Sequence, residues 1–172
     1  IDHNILIKQM WNLGIKDKKL LSIIKAMLKA PIVLPDGSKI IPDKGSPQGG
    51  ILSPLLANIV LNELDWWIAS QWQNFPTKHD YTRIRNRDGK TWIEKSNQFR
   101  ELKRTSNLKE IHIVRYADDF KIFCRDYPTA IKIFNATKEW LKTRLNLDIS
   151  ENKSGITNLK QKSTNYLGFD IS

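Results

Sequence analysis

Two adjacent carboxylates, Asp118 and Asp119, stand between two short runs of alternating apolar residues. Neighbouring side chains in mid-strand point to opposite faces. At a tight hairpin turn, both can reach toward one point, where a divalent cation offsets their repulsion. Oxygen ligands of this kind serve phosphoryl transfer by two metal ions, one lowering the pKa of an attacking hydroxyl and the other stabilising a leaving pyrophosphate. Mg²⁺ is the expected ion and Mn²⁺ the alternative. The pair also has a plainer explanation, since Asp favours turns through local hydrogen bonds and then simply faces solvent. His3, His79 and His112 lack the spacing of metal ligands and read as structural.

The elements that must carry this turn follow from periodicity. Ile111, Ile113 and Arg115 alternate, as do Phe120, Ile122 and Cys124, which predicts two antiparallel strands joined by Tyr116 to Asp119. Upstream, Ile5 to Leu13 keeps a helical rhythm until Gly14, and Asp17 caps a second helix bearing Leu20, Leu21, Ile24, Met27 and Leu28. Residues 32–34 and 39–41 flank Pro35-Asp36-Gly37-Ser38, a turn composition that predicts a hairpin. A loop, Gly45-Ser46-Pro47-Gln48-Gly49-Gly50, leads to Ser53-Pro54, read as an N-cap with a first-turn proline. The helix it opens, with Leu55, Leu56, Ile59, Val60, Leu64 and Trp67, is predicted to run to about Trp72. Pro128 opens another, with Ile131, Phe134, Thr137, Leu141 and Leu145 on one face, and 166–171 reads as a last strand.

A chain of 172 residues that is 40% hydrophobic can bury a core, so one folded unit is expected. Its net charge of +10 points to a polyanionic partner. No apolar run approaches the roughly 20 residues that span a bilayer, which favours nucleic acid over membrane. More than half of the excess charge lies in 78–109, where ten Lys or Arg meet four acids. Tyr81, Trp92 and Phe99 are interspersed there, a composition suited to phosphate contacts and base stacking through Arg83, Arg85, Arg87, Lys103 and Arg104. A solvated, partly mobile surface insertion is the other reading of the same segment. Cys124 is the only cysteine, so no intrachain disulfide forms, and a reducing compartment fits. The opening Ile1-Asp2-His3-Asn4, without an initiator Met, fits a piece of a longer polypeptide.

The run from Gly45 through Ser46-Pro47-Gln48-Gly49-Gly50-Ile51-Leu52-Ser53-Pro54 to Asn58, continuing to Asn62-Glu63-Leu64-Asp65 and followed by Tyr116-Ala117-Asp118-Asp119, resembles bacterial reverse transcriptases. Residues 145–154, ending in Lys153-Ser154, are similar to that family's lysine-bearing motif, and Tyr166-Leu167-Gly168-Phe169 to its primer grip. The double glycine, Ser53-Pro54, Ala117 and the basic insertion at 78–109 look most like group II intron-encoded proteins (maturases). Retron, diversity-generating and CRISPR-associated enzymes remain close. The resemblance covers nearly the whole chain.

The resemblance implies an α+β fold, a right-hand polymerase palm with a small antiparallel sheet backed by helices, truncated at both ends. It implies RNA-directed DNA synthesis, with RNA template, DNA primer, dNTPs, intron RNA and the remainder of the parent polypeptide as partners. It also implies a bacterial cytoplasmic, nucleic-acid-associated setting, with an organellar one open. By the same resemblance Asp118 and Asp119 are metal ligands, and Lys153 neutralises or protonates the pyrophosphate, where a surface lysine is the plain alternative. Ser46, Pro47, Gln48, Gly49 and Gly50 lie against template and nucleotide together with Tyr116 and Ala117. Leu167 and Gly168 hold the primer backbone, where core packing and a bulge are the alternatives. The family's further aspartate, on a strand preceding Ile1-Asp2-His3, is not in these residues, so the 172 residues alone are expected to bind metal poorly and not to polymerise. Two rivals stand beside this reading. An RNA-binding maturase with a decayed polymerase site does not explain the intact Asp118-Asp119 turn. A palm-fold nucleotide cyclase gives no reason for Ser46 to Gly49.

Overall fold

Asp2 starts the first helix by accepting from the backbone N–H groups of Asn4 and Ile5 at 2.9 and 3.1 Å, satisfying two donors that a helix start leaves open. The computed structural model describes residues 1–47 and 49–172. Helix α1 spans His3–Asn12 and α2 spans Lys18–Leu28, the latter capped by Asp17 through Lys19 and Leu20. Strands β1 (Ile32–Val33) and β2 (Lys39–Ile40) form the predicted hairpin.

Helix α3, Ser53–Gln71, is the axis of the molecule, about 28 Å long at 1.5 Å per residue. Its buried Leu56, Val60, Leu61, Leu64 and Ile68 share one hydrophobic core with Leu6 and Met10 of α1, which packs on it, and with Leu21, Ile24 and Leu28 of α2, which packs on α1. Each such side chain contributes about 1.5–3 kcal/mol relative to exposure. The helix start differs from expectation. Leu52 holds the cap position and Ser53 is already helical, because the Ser53 hydroxyl donates backward to Pro47 O at 2.7 Å instead of capping its own helix.

The 78–109 segment is folded. Strands β3 (Arg83–Arg87) and β4 (Lys90–Glu94) pair around Asp88 and Gly89, whose φ values of 52° and 74° give the left-handed pair that matches strand twist. Helix α4, Ser96–Thr105, buries Leu102, and its Phe99 stacks on Trp72 at 5.6 Å. Helix α4 is docked on the core, while the β3–β4 hairpin stands in solvent.

Strands β5 (Ile111–Tyr116) and β6 (Asp119–Cys124) lie along α3, and α5 (Tyr127–Leu145) backs them, with Trp140 stacked on Trp67 at 5.1 Å. Asp126 caps α5 by accepting from Thr129 N. Ile131, expected on the apolar face, is exposed, and Thr129 takes the buried place nearer the cap. The last predicted strand is two: β7 (Thr164–Tyr166) and β8 (Phe169–Ile171) reverse at Leu167-Gly168, whose φ values are 53° and 84°. The fold is thus mixed α and β with small antiparallel sheets, four two-stranded hairpins among the described residues in place of one larger sheet. No helix among them is long and apolar enough to cross a membrane.

Candidate functional site

The acidic pair sits on the β5–β6 hairpin. Tyr116 pairs with Asp119, leaving Ala117 and Asp118 as a two-residue loop with Ala117 at φ 53°. A left-handed conformation is costly for a side chain with Cβ, by roughly 1–2 kcal/mol, and alanine tolerates it better than a branched residue does. Both Asp118 and Asp119 are exposed, so their carboxylates face the surface and not the core.

One side chain, missed from the sequence, sets the position of this loop. Arg115, only 11% exposed, reaches from β5 to α3 and grips Asp65 with Nε at 2.9 and 3.1 Å from the two carboxylate oxygens and Nη2 at 2.5 Å. Its Nη1 donates both to Asn58 Oδ1 and to Ala117 O, each at 2.7 Å. The hydrogen-bonded Asp65 carboxylate raises the Arg115 pKa further, against the opposing effect of burial. The left-handed Ala117 carbonyl is thereby tied to the central helix by a rigid, always-charged fork. The available signal was a cation one residue before Tyr116 on a strand face that otherwise carries Ile111 and Ile113.

The glycine-rich loop joins the same helix. Gly45 accepts from His3 Nε2 at 3.0 Å and donates to Ile1 O at 2.7 Å, which fixes the loop's entrance against α1. Its exit is fixed by Ser53 on Pro47 O and by Gly50 N on Pro47 O at 3.1 Å. Ser46 is half-buried, Pro47 and Gly49 are exposed, and Gly49 has φ 73°. Gln48 lies outside the described residues. Ser53 precedes Asn58 by five residues, about 7.5 Å along the helix axis, so loop and Arg115 anchor share one rigid support.

The β7–β8 hairpin is brought to the acidic turn. Lys121 of β6 donates to Thr164 Oγ1 at 2.8 Å, and the Tyr166 hydroxyl lies 3.5 Å from Asp119 O, a weak bond at most. Leu167 and Gly168 form the turn tip, with Leu167 47% exposed, so neither core packing nor a bulge describes them. Tyr116, 66% exposed, is likewise not a core residue. Lys153 is exposed in a turn, on a segment held to α5 by the Lys142–Asp148 and Lys138–Glu151 pairs at 2.8 and 2.9 Å.

The basic residues divide. Arg83, Arg85 and Arg87 lie on exposed β3, with Arg85 bound to Glu94 at 2.5 Å and Arg87 3.5 Å from Asp88. Lys103 and Arg104 are on α4, where Lys103 meets Glu110 at 2.9 Å and lies 5.9 Å from the Trp72 ring centre, and Arg104 meets Glu101 at 2.8 Å. Lys103 therefore has an internal task.

As a donor set for a hard divalent cation, two exposed carboxylates on a clamped turn fit the oxygen preference of Mg²⁺. No three His, Cys, Asp or Glu side chains converge among the described residues.

A family model described as reverse transcriptase (RNA-dependent DNA polymerase) matches residues 1–171. The group II intron-encoded protein LtrA of Lactococcus lactis subsp. cremoris is 34% identical, over 99% of this chain and 32% of that protein. The putative COX1/OXI3 intron 2 protein of Saccharomyces cerevisiae is 29% identical, over 99% of this chain and 22% of that one. An uncharacterized 91 kDa protein in the cob intron of Schizosaccharomyces pombe is 30% identical, over 100% and 24% respectively. The chain spans about a third or less of the length of these curated relatives.

Proposed function

This chain belongs to the reverse transcriptase (RNA-dependent DNA polymerase) family, and on that footing we propose that it is the right-hand palm of an RNA-directed DNA polymerase encoded by a group II intron. Reverse transcriptases use divalent metal ions in general, and here Asp118 and Asp119 are the ligands. The observation that carries the reading is the Asp118-Asp119 turn, presented to solvent while Arg115 ties its backbone to the helix that bears the glycine-rich loop.

Bound Mg²⁺ or Mn²⁺ would supply an activated primer 3′-hydroxyl and charge stabilisation for the leaving pyrophosphate. The chain's own residues do the positioning. Arg115 holds the carboxylates in one place through Ala117 O, so little reorganisation is needed when substrate arrives. Ser46, Pro47, Gly49 and Gly50 offer a surface without side chains at the glycines, where template and nucleotide can approach the backbone closely. Tyr116 and Ala117 face the primer terminus, and Leu167 and Gly168 hold the primer backbone on a hairpin moored to β6 by Lys121. Lys153 offers a mobile ammonium to the pyrophosphate. The parent protein also binds intron RNA in splicing and mobility, in keeping with the intron-encoded relatives and the charge of +10.

Primer extension on an RNA template by the full-length protein tests this. Asp118→Ala and Asp119→Ala should each abolish DNA synthesis while RNA affinity is kept. Undiminished synthesis in either variant would sink the assignment. Loss of RNA affinity together with synthesis would show a folding defect, so melting temperature is read in parallel.

A further inference from the structure

The β3–β4 register sorts the basic segment in a way its composition does not. Residues directly opposite on paired strands share a face, and alternate residues along one strand do too. Arg83, Arg85 and Arg87 therefore lie on one face with their partners Glu94, Trp92 and Lys90. The Arg85–Glu94 contact across the hairpin agrees with that placement. The opposite face carries Ile84, Asn86, Thr91 and Ile93.

That first face holds four cations against one carboxylate and has an indole set among them. Trp92 is 46% exposed, and all five residues of β3 are exposed. The other aromatic residues of the segment are engaged elsewhere: Phe99 stacks on Trp72, and Tyr81 meets His79 edge-on. Trp92 is thus the ring left open beside the arginines.

We propose that this face of the β3–β4 hairpin is a docking surface for unpaired RNA, with a base stacked on Trp92 and successive phosphates taken by Arg83, Arg85, Arg87 and Lys90. Alternate residues on a strand are about 6.8 Å apart, so the three guanidinium groups form a row that an extended strand's phosphates can follow. A flat indole binds the face of a base, which is free in an unpaired strand and covered within a duplex. The pairs Arg85–Glu94 and Arg87–Asp88 do not block the surface, because exposed ion pairs are weak and exchange readily for a phosphate. The choice of RNA over DNA rests on the polymerase reading above; the stacking and phosphate row do not.

The test uses the full-length protein and a short unstructured RNA, with affinity measured across a salt series. Arg83→Ala, Arg85→Ala and Arg87→Ala combined should lower the slope of log affinity against log salt by about 2, the value for three phosphate contacts to a single strand. Trp92→Ala should weaken binding about tenfold with the slope unchanged, and Trp92→Phe should restore most of it. Asn86→Ala with Thr91→Ala, on the opposite face, should do nothing. Neither strand contributes a buried residue, so melting temperatures should not move. An unchanged slope in the triple variant, or equal weakening by Trp92→Ala on duplex RNA, overturns the proposal. Equal weakening on single-stranded DNA overturns its assignment to RNA. Asp118→Ala should leave all these affinities as they are, so polymerase failure and hairpin failure are read separately.

Discussion

Arg115 and Asp65, fifty residues apart, form a forked ion pair in which the guanidinium also holds Asn58 and the carbonyl of Ala117. The acidic turn is thereby referenced to the central helix and not to its own strand alone. A guanidinium can satisfy all these acceptors at once because its donors lie in a fixed plane, whereas an ammonium must choose among them.

Arg115→Gln should lower stability by about 1–2 kcal/mol, since the Asp65 carboxylate is left partly buried without its partner. DNA synthesis in the full-length protein should fall by roughly a hundredfold, the scale of a 1 Å misplacement. A mere loss of stability would leave the Mg²⁺ dependence of the remaining activity unaltered. Misplaced ligands should shift that dependence to higher Mg²⁺, and Arg115→Lys should lie between the two. Normal turnover at normal Mg²⁺ in Arg115→Gln counts against any positioning role.

A Cβ at Gly50 would stand 3.0 Å from Ser53 Oγ and 3.1 Å from Pro47 O. Pro47 O is backbone, so the loop itself must move. Gly50→Ala should raise KM for the incoming nucleotide about tenfold while kcat changes less, as expected when binding and not chemistry is disturbed. Gly37→Ala, strained by its φ of +81° but in the β1–β2 turn, is the comparison that should leave KM alone. Equal KM values for both variants would remove the loop from nucleotide binding.

Glu110 joins α4 to the sheet, 2.9 Å from Lys103 and 2.7 Å from Arg125. The Lys103 ammonium foremost, then His112 and the charge of Arg125, hold its carboxyl below the usual range, against the effect of burial. A depressed carboxylate stabilises the fold above its unfolded pKa, about 4.3, and that contribution is lost as pH falls through the folded value. Glu110→Gln should therefore cost roughly 1 kcal/mol near neutral pH, with the difference closing as pH falls through the lowered folded value. Urea midpoints of the two proteins along a pH series give the answer, and a gap that persists at low pH would exclude the charge as its origin.

Much of this chain was legible before folding. Asp17 as a cap, the Pro35 to Ser38 reversal, the run of α3 and the hairpin around Asp118 all follow from caps, turns and periodicity, which act within a few residues. The β3–β4 hairpin was overlooked because Arg83-Ile84-Arg85-Asn86-Arg87 has no apolar alternation to announce a strand. Only Asp88-Gly89 marks it. Ser53 was misassigned as a cap since a hydroxyl near a helix start has two nearby uses, and the loop's Pro47 carbonyl took it.

By itself, then, the sequence determined where the acidic turn is, which helices flank it and which family it belongs to, because those properties are carried by neighbouring residues and contiguous motifs. The tertiary structure decided what holds the turn. The Arg115 clamp on Asp65 and Asn58, the mooring of the Leu167-Gly168 hairpin by Lys121, and the placing of Lys103 over the Trp72 ring, apart from Arg83, Arg85 and Arg87, all depend on side chains meeting across long stretches of chain. Local propensity cannot encode such meetings. They arise when burial of α3 against α1 and β5, with α2 packed on α1, fixes the distances between elements.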